Sequence, residues 1–193
     1  MSLILASNSQ IRRTMLEQAG VGFNVRSPDF DEAAVKAGPD LGGEQLARRL
    51  AESKAASIAA DDCDWVIGSD STVTVNGQRY SKPRDREEAA THLRAFSGQI
   101  MELASAVALA NRGRIDWSYA ETARLKVRPL SEEFIQSYLN QEWPEVGYCV
   151  GVFRMEGRGV ALFERVEGSH FTILGMPLLP LLGALRERGI IAS

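Results

Sequence analysis

Cysteine is scarce in this chain. Only Cys63 and Cys149 occur in 193 residues, far apart, with no second cysteine beside either. That excludes a disulfide framework and the CxxC spacing of zinc or redox sites, and it fits a reducing, cytoplasmic setting. Long apolar runs are also missing. The richest stretch, residues 173–185, is broken by Gly175, Pro177, Pro180 and Gly183 and falls short of the roughly 20 residues a membrane span requires. The short run Leu3-Ile4-Leu5-Ala6 comes before Arg12 and Arg13, the reverse of the order in a secretory signal. No membrane partner is expected. Charge of one sign is lacking as well: 22 Lys+Arg against 25 Asp+Glu leave a formal net charge of −3. Binding to a nucleic acid polymer is therefore disfavoured, although a local basic pocket for a small anion is compatible with this balance. Histidine is limited to His92 and His170, and neither a GxSxG elbow, a GxGxxG turn nor a GxxxxGK[ST] loop is present. Serine-hydrolase chemistry and the two common nucleotide-loop folds drop out.

What is present is 45% hydrophobic and 24% charged residues, the range of a globular chain, and the expectation is a single domain over residues 1–193. Leu3 to Ala6 reads as a strand covered on both faces, handing over through Ser7-Asn8-Ser9 to a helix over residues 9–19 with Ile11, Met15, Leu16 and Ala19 on one side. A weak strand over 21–25 leads to a polar loop holding Asp31 and Glu32. A second helix covers 43–60 and carries Lys54. Trp65 to Asp70 then reads as a buried strand that leaves the core at Asp70, and residues 73–75 with Asn76-Gly77 open a hairpin closed by Lys82-Pro83. A helix capped by Asp85 follows to Phe96, then two long strands within 101–127, and a helix over 131–140. A hairpin is expected over 160–174, with His170 in its turn, before a last helix over 177–188. Strands that first alternate with helices and later pair antiparallel predict a mixed α/β sheet.

Singly, the charged residues near these strand ends say little. A lysine on an alanine-rich helix is usually solvated, and an aspartate at a strand terminus usually belongs to a turn. Arg12 and Arg13 beside Ser7 and Ser9 say more, because the N–H groups and positive end of a helix attract anions and arginine adds a bidentate cation. Ser7 and Ser9 also read as plain helix caps, which is compatible with that role.

Taken in order, LASNSQIRRTML, SPDFDE, RLAESKA, VIGSDSTV, SKPRD and LRAFSG, with the tail GVFRMEGRGVALFERVEGSHFTILGMPL, resemble the Maf family of nucleoside triphosphate pyrophosphatases over nearly the whole chain. The resemblance implies a two-lobed mixed sheet flanked by helices around a central cleft, similar to inosine triphosphate pyrophosphatases. It implies hydrolysis between the α and β phosphates, releasing a monophosphate and pyrophosphate, assisted by a divalent cation, Mg²⁺ or Mn²⁺. It places the general base on Asp70, the metal on Glu32 and Asp70, and the triphosphate on Ser7, Ser9, Arg12, Lys54 and Lys82. A homodimer and a part in removing non-canonical or surplus nucleotides are further expectations from the resemblance. A nucleotide-binding regulator of cell division with little turnover, and hydrolysis of inosine or xanthosine triphosphate, stand as alternatives.

The base is less legible. The dTTP/UTP-type subgroup reads SPRR, GADT and GxYxIQG where this chain has Ser9-Gln10-Ile11-Arg12, Gly68-Ser69-Asp70-Ser71 and residues 151–157. The subgroup associated with 7-methyl-GTP looks closer, through Tyr148-Cys149-Val150-Gly151, Arg154 and Glu156, but it carries Gln where Ser71 stands. Met101 occupies a position where the family often has His. Ile11, Ser71, Phe153, Arg154 and Glu156 are the candidates to line a base pocket, where a carboxylate such as Glu156 or an aromatic face would suit a positively charged methylated guanine.

Overall fold

β1 (Leu3–Ala6) is buried at every position and ends in a polar Ser7-Asn8-Ser9 corner from which α1 (Gln10–Gln18) starts. α1 buries Arg12, Met15 and Leu16, one face at helical spacing. It returns to β2 (Asn24–Arg26), which lies parallel to β1. The chain then crosses through α2 (Glu32–Lys36) and α3 (Gly43–Ala56) to β3 (Trp65–Val75), on the other side of β1 and again parallel to it. Residues 2–37, 41–61 and 63–192 are described in this computed structural model.

After β3 the pairing becomes antiparallel. β4 (Gln78–Tyr80) turns back on the end of β3, and α4 (Arg86–Phe96) follows with the Asp85 carboxylate accepting from Glu88 N–H at 2.8 Å. β5 (Ile100–Asn111) pairs with β3 along its whole length, and β6 (Arg114–Val127) pairs with β5. α5 (Glu132–Glu142), capped by Ser131, leads through two 3-10 turns to β7 (Phe163–Glu167) on β6, then to α6 (His170–Ile173) and α7 (Leu178–Glu187). The result is one seven-stranded mixed sheet in the order β2-β1-β3-β5-β6-β7, with β4 attached to β3. Among the described residues no helix is long and apolar enough to cross a membrane.

β3 serves two cores in succession. Its period of two sends Ile67 into a cluster with Met15 and Leu16 of α1, Val107 and Leu109 of β5, and Leu181 and Leu185 of α7. Farther along the same face, Val73 and Val75 enter a second cluster with Leu93 and Phe96 of α4, Met101, Leu103 and Ile135. Between them, Ser69 and Ser71 occupy the positions where apolar residues would have fused the two cores. The opposite face carries Val66 and a run of alanines from α3 and β5. This contact is very close: a Cβ on Gly68 would lie 2.1 Å from the Ala51 carbonyl oxygen of α3. Only glycine fits there.

Several sequence expectations are corrected. Asp70 does not end a strand: β3 runs on without a break to Val75, because residues 65–75 find partners in β5 throughout. Glu32 is not in a loop but opens α2, which Asp31 caps through Ala34 N–H at 2.9 Å. Residues 160–174 are not a hairpin. Their first part is a 3-10 turn, only 163–167 form a strand, and His170 lies in α6. The helix expected over 43–60 stops at Ala56. Phe153 is a core residue, 6% exposed and edge-on to Phe163 at 4.8 Å between ring centres.

Candidate active site

The topology opens a notch before any side chain is considered. β1 leads by α1 to β2 on one side, while the return through α2 and α3 delivers β3 on the other, so the carboxyl end of β1 is where the strand order reverses. Such switch points are the usual ligand crevices of open α/β sheets. Here β1 stops at Ala6, opposite Gly68, and β4 begins pairing only at Val73. On that edge, residues 69–72 of β3 have no strand neighbour among the described residues.

Asp70 stands in this gap on the α3 face. Its Oδ2 accepts from Lys54 Nζ at 2.9 Å and its Oδ1 from Ser71 N–H at 2.8 Å, with the lysine and aspartate side chains 13% and 15% exposed. Lys54 reaches it because α3 lies so close to Gly68. Burial pushes the Lys54 ammonium below its usual pKa, and Asp70 acts in the opposite direction.

Arg12 arrives from the other face, around the end of β1. Its guanidinium is 9% exposed; Nε donates to the Gly175 carbonyl at 2.9 Å, Nη2 to Ser71 Oγ at 3.3 Å and Nη1 to Ser7 Oγ at 3.5 Å. Burial lowers its pKa, opposed by the charges of Asp70 and then Glu32. Ser7 is buried and also accepts from Ser9 N–H at 3.2 Å, so Ser7 rather than Ser9 supplies the hydroxyl at the start of α1. Ser9 sits at the N-cap without a side-chain cap bond, which removes the capping reading for it. Ile11 is half-buried on the first turn of the same helix.

Glu32 is nearby but looser. Its side chain is 45% exposed and pairs with Lys36 at 2.6 Å, yet both Arg12 and Lys54 feel its charge. No group of three or more His, Cys, Asp or Glu capable of holding a metal occurs among the described residues. Two carboxylates alone do not make a resident metal cage. They do suit Mg²⁺, which keeps several waters and is commonly held by one or two carboxylates together with substrate phosphates.

Lys82, Arg154 and Glu156 form a separate group. β4 runs antiparallel to β3 with Tyr80 opposite Val73, and Lys82 lies two residues beyond its end. Lys82 is exposed, lines an open hollow of about 460 Å³ with Tyr80, Glu88 and His92, and makes no ion pair or hydrogen bond with Asp70 among the described residues. Its charge is instead felt at Cys149, together with those of Glu156 and Arg154. Burial, more than Glu156, pushes that thiol up to about 11. Arg154 donates to Glu142 at 3.0 and 3.3 Å, and Glu142 is only 6% exposed. Glu156 is exposed. Of the five base-pocket candidates Phe153 lies in the core, and the other four are split: Ile11 and Ser71 lie at the Arg12 side, Arg154 and Glu156 at the Lys82 side.

Sequence reasoning missed the hydroxyl seam behind Arg12. Ser69 Oγ donates to the Ala106 or Gly175 carbonyl at 2.8 and 3.0 Å, Ser71 Oγ lies 2.8 Å from Ser105 Oγ, and Ser105 donates to the Thr172 carbonyl at 2.7 Å. Ser69, Ser105 and Thr172 are each wholly buried. The available signal was Ser69 and Ser71 at every second position between Ile67 and Val73 of β3, and Ser105 between alanines in β5, at positions where a core would otherwise continue. Glu142, the buried partner of Arg154, was also missed; nothing in the helix pattern of 132–142 marks it.

A family model described as Maf-like protein matches residues 2–188. A 7-methyl-GTP pyrophosphatase of Rhizobium meliloti (strain 1021) is 44% identical over 193 residues, covering 98% of this chain and 97% of its own. A nucleoside triphosphate pyrophosphatase of Nitrobacter hamburgensis is 43% identical over 192 residues, covering 98% and 95%. Among solved structures, a nucleoside-triphosphatase (dITP/XTP pyrophosphatase) of Mycobacterium abscessus overlaps 66% of this chain and 73% of its own at 18% identity and a TM-score of 0.39. The sequence relatives carry the assignment; so partial a structural overlap adds no weight to it.

Proposed function

The chain belongs to the Maf-like protein family, and from that premise we propose that it is a nucleoside triphosphate pyrophosphatase, cleaving its substrate to a nucleoside monophosphate and pyrophosphate. The observation that carries this reading is that the Lys54–Asp70 pair on one face of β3 and the buried Arg12, which reaches Ser71 from the other face and feels the Asp70 charge, adjoin the same unpaired stretch of that strand. A triphosphate supplies the anion that Arg12 lacks and competes with Asp70 for Lys54. Glu32 and Asp70 would hold the Mg²⁺ or Mn²⁺ that enters with the nucleotide, and the ion's contribution when bound is to neutralise charge on the phosphoryl oxygens.

The chain's own residues divide the rest of the work. Arg12 binds and orients the phosphates through the N–H groups its protein partners leave open, and Ser7 fixes the corner from which α1 points its positive end toward them. Lys54 holds Asp70 in place in the free protein. When phosphate draws the ammonium away, Asp70 Oδ2 is left to accept a proton from a water aimed at the α-phosphorus, while Ser71 N–H keeps Oδ1 fixed. Lys82 would close on the phosphates from beyond the end of β4. Arg12 and Lys54 lose part of their hydration on burial, so a polyanion replaces water they have already given up.

For the base, the favoured reading is 7-methylguanine. Its support is the 44%-identical relative named for 7-methyl-GTP and the exposed carboxylate of Glu156, which would suit a cationic ring. The test is a panel of 7-methyl-GTP, UTP, dTTP, CTP and ITP with Mg²⁺ or Mn²⁺, with both phosphate products identified. Pyrophosphate release fastest from 7-methyl-GTP supports the reading; preference for a pyrimidine triphosphate rejects the base, and orthophosphate as the sole first product rejects the cleavage position.

A further inference from the structure

α6 is only four residues long, and it ends in a turn of defined geometry. Met176 N–H donates back to the Phe171 carbonyl at 3.1 Å and Gly175 N–H to the Thr172 carbonyl at 3.0 Å, the paired bonds of a Schellman motif, with Gly175 at φ +106°. The turn satisfies the helix's last carbonyls and leaves the Gly175 carbonyl oxygen pointing away from α6 into the seam. Three polar groups surround that oxygen, Arg12 Nε at 2.9 Å, Ser69 Oγ at 3.0 Å and Ser71 Oγ at 3.3 Å, and Arg12 is the one whose proton has no other acceptor. A Cβ on Gly175 would lie 3.4 Å from Ser71 Oγ and 3.5 Å from Arg12 Nη2, so the turn is packed directly against the guanidinium.

The hydrogens can be assigned a consistent direction. Ser105 gives its proton to the Thr172 carbonyl, so at its contact with Ser71 it accepts; Ser71 therefore donates to Ser105 and accepts from Arg12 Nη2. Ser69 is left to share its proton between Ala106 and Gly175. Thr172 is anchored in turn by its hydroxyl on Glu121. Every link ends on a group that can receive it, and Arg12 retains one N–H on each terminal nitrogen for a ligand. A long arginine side chain has considerable rotamer freedom, and here that freedom is already restricted before substrate binds.

We propose that Gly175, through its main-chain carbonyl, is the positioning residue that fixes the Arg12 guanidinium at the triphosphate site, so that the C-terminal turn completes a site otherwise built by the N-terminal half of the chain. The proposal rests on the triphosphate reading above. It is tested with the full chain as a double-mutant cycle of Gly175→Ala and Arg12→Lys, following KM and kcat for pyrophosphate release, the Kd for inorganic tripolyphosphate by calorimetry, and the urea midpoint of each variant.

Positioning predicts that Gly175→Ala raises both the tripolyphosphate Kd and KM by about tenfold, with kcat changed less than about threefold, and that on the Arg12→Lys background the same change adds less than about twofold. Equal effects on both backgrounds would mean a merely structural turn and would overturn the proposal. Should Gly175→Ala fail to fold, Ser71→Ala removes the Nη2 support without disturbing the turn. It is expected to show the same coupling to Arg12→Lys, with Ser71→Thr restoring binding; no coupling and no restoration overturn the proposal. A parent protein that binds tripolyphosphate with this coupling yet releases no pyrophosphate from any nucleotide would leave the clamp standing and remove the hydrolase reading. A parent that does not bind tripolyphosphate removes the clamp.

Discussion

Asp70 Oδ2 and Lys54 Nζ, 2.9 Å apart and mostly shielded from water, hold each other in the free protein. If Asp70 is the base, Asp70→Asn keeps the shape and the Ser71 N–H contact but cannot take a proton, and pyrophosphate release should fall by about 10²–10⁴-fold while nucleotide binding, followed by calorimetry, persists. Lys54→Met acts differently. It removes the charge-assisted bond to Asp70 and, in the proposed reading, a cation for the phosphates, and should lower kcat/KM by about 10–100-fold in steady-state kinetics. At this scale the sequence was informative where a residue sits in a short motif, as Arg12, Lys54 and Asp70 do. It was silent about partners: that Lys54 meets Asp70, or that Arg154 meets a buried Glu142, depends on which faces the sheet brings together.

Elements explain why. The strands with continuous apolar runs and the capped helices were readable, since Ser131 and Asp85 announce α5 and α4 and Asn76-Gly77 announces the β3–β4 turn. Residues 170–174 were misread because four residues of helix are too few to display a period, and Phe171 and Ile173 alternate with His170 and Thr172 as a strand would. Asp70 was misplaced for a related reason: a polar Ser-Asp-Ser run looks like an exit from the core, whereas here its hydroxyls are consumed between two cores. Gly68 makes the α3–β3 contact testable. Gly68→Ala forces a methyl against the Ala51 carbonyl and should destabilise the protein by about 3 kcal/mol, read from the urea midpoint, with loss of the Lys54–Asp70 pair.

The α4–α5 junction offers a pH test. Arg94 holds Glu132 through Nε at 2.9 Å and Nη2 at 2.8 Å, which with a bond from Gln136 keeps that carboxyl at about 2. A depressed carboxylate contributes stability that is present above its unfolded value near 4.5 and is lost as pH falls toward 2. Acid denaturation of Glu132→Gln should therefore show a shallower loss of stability between pH 4.5 and 2 than the parent, and carboxyl NMR should find Glu132 still ionised at pH 3.

For the whole molecule, the decisive feature is that one strand carries two cores with a polar seam between them and an unpaired edge beside the seam. The near core brings α1 and Arg12, and the opposite face brings α3 and Lys54. The function proposed for this gap is to take a polyanion, with attack on the innermost phosphorus and pyrophosphate leaving. Hydrolysis in ¹⁸O-labelled water tests that most directly: the account predicts the label in the nucleoside monophosphate and none in the pyrophosphate, and label appearing in pyrophosphate or in orthophosphate as the first product would contradict it.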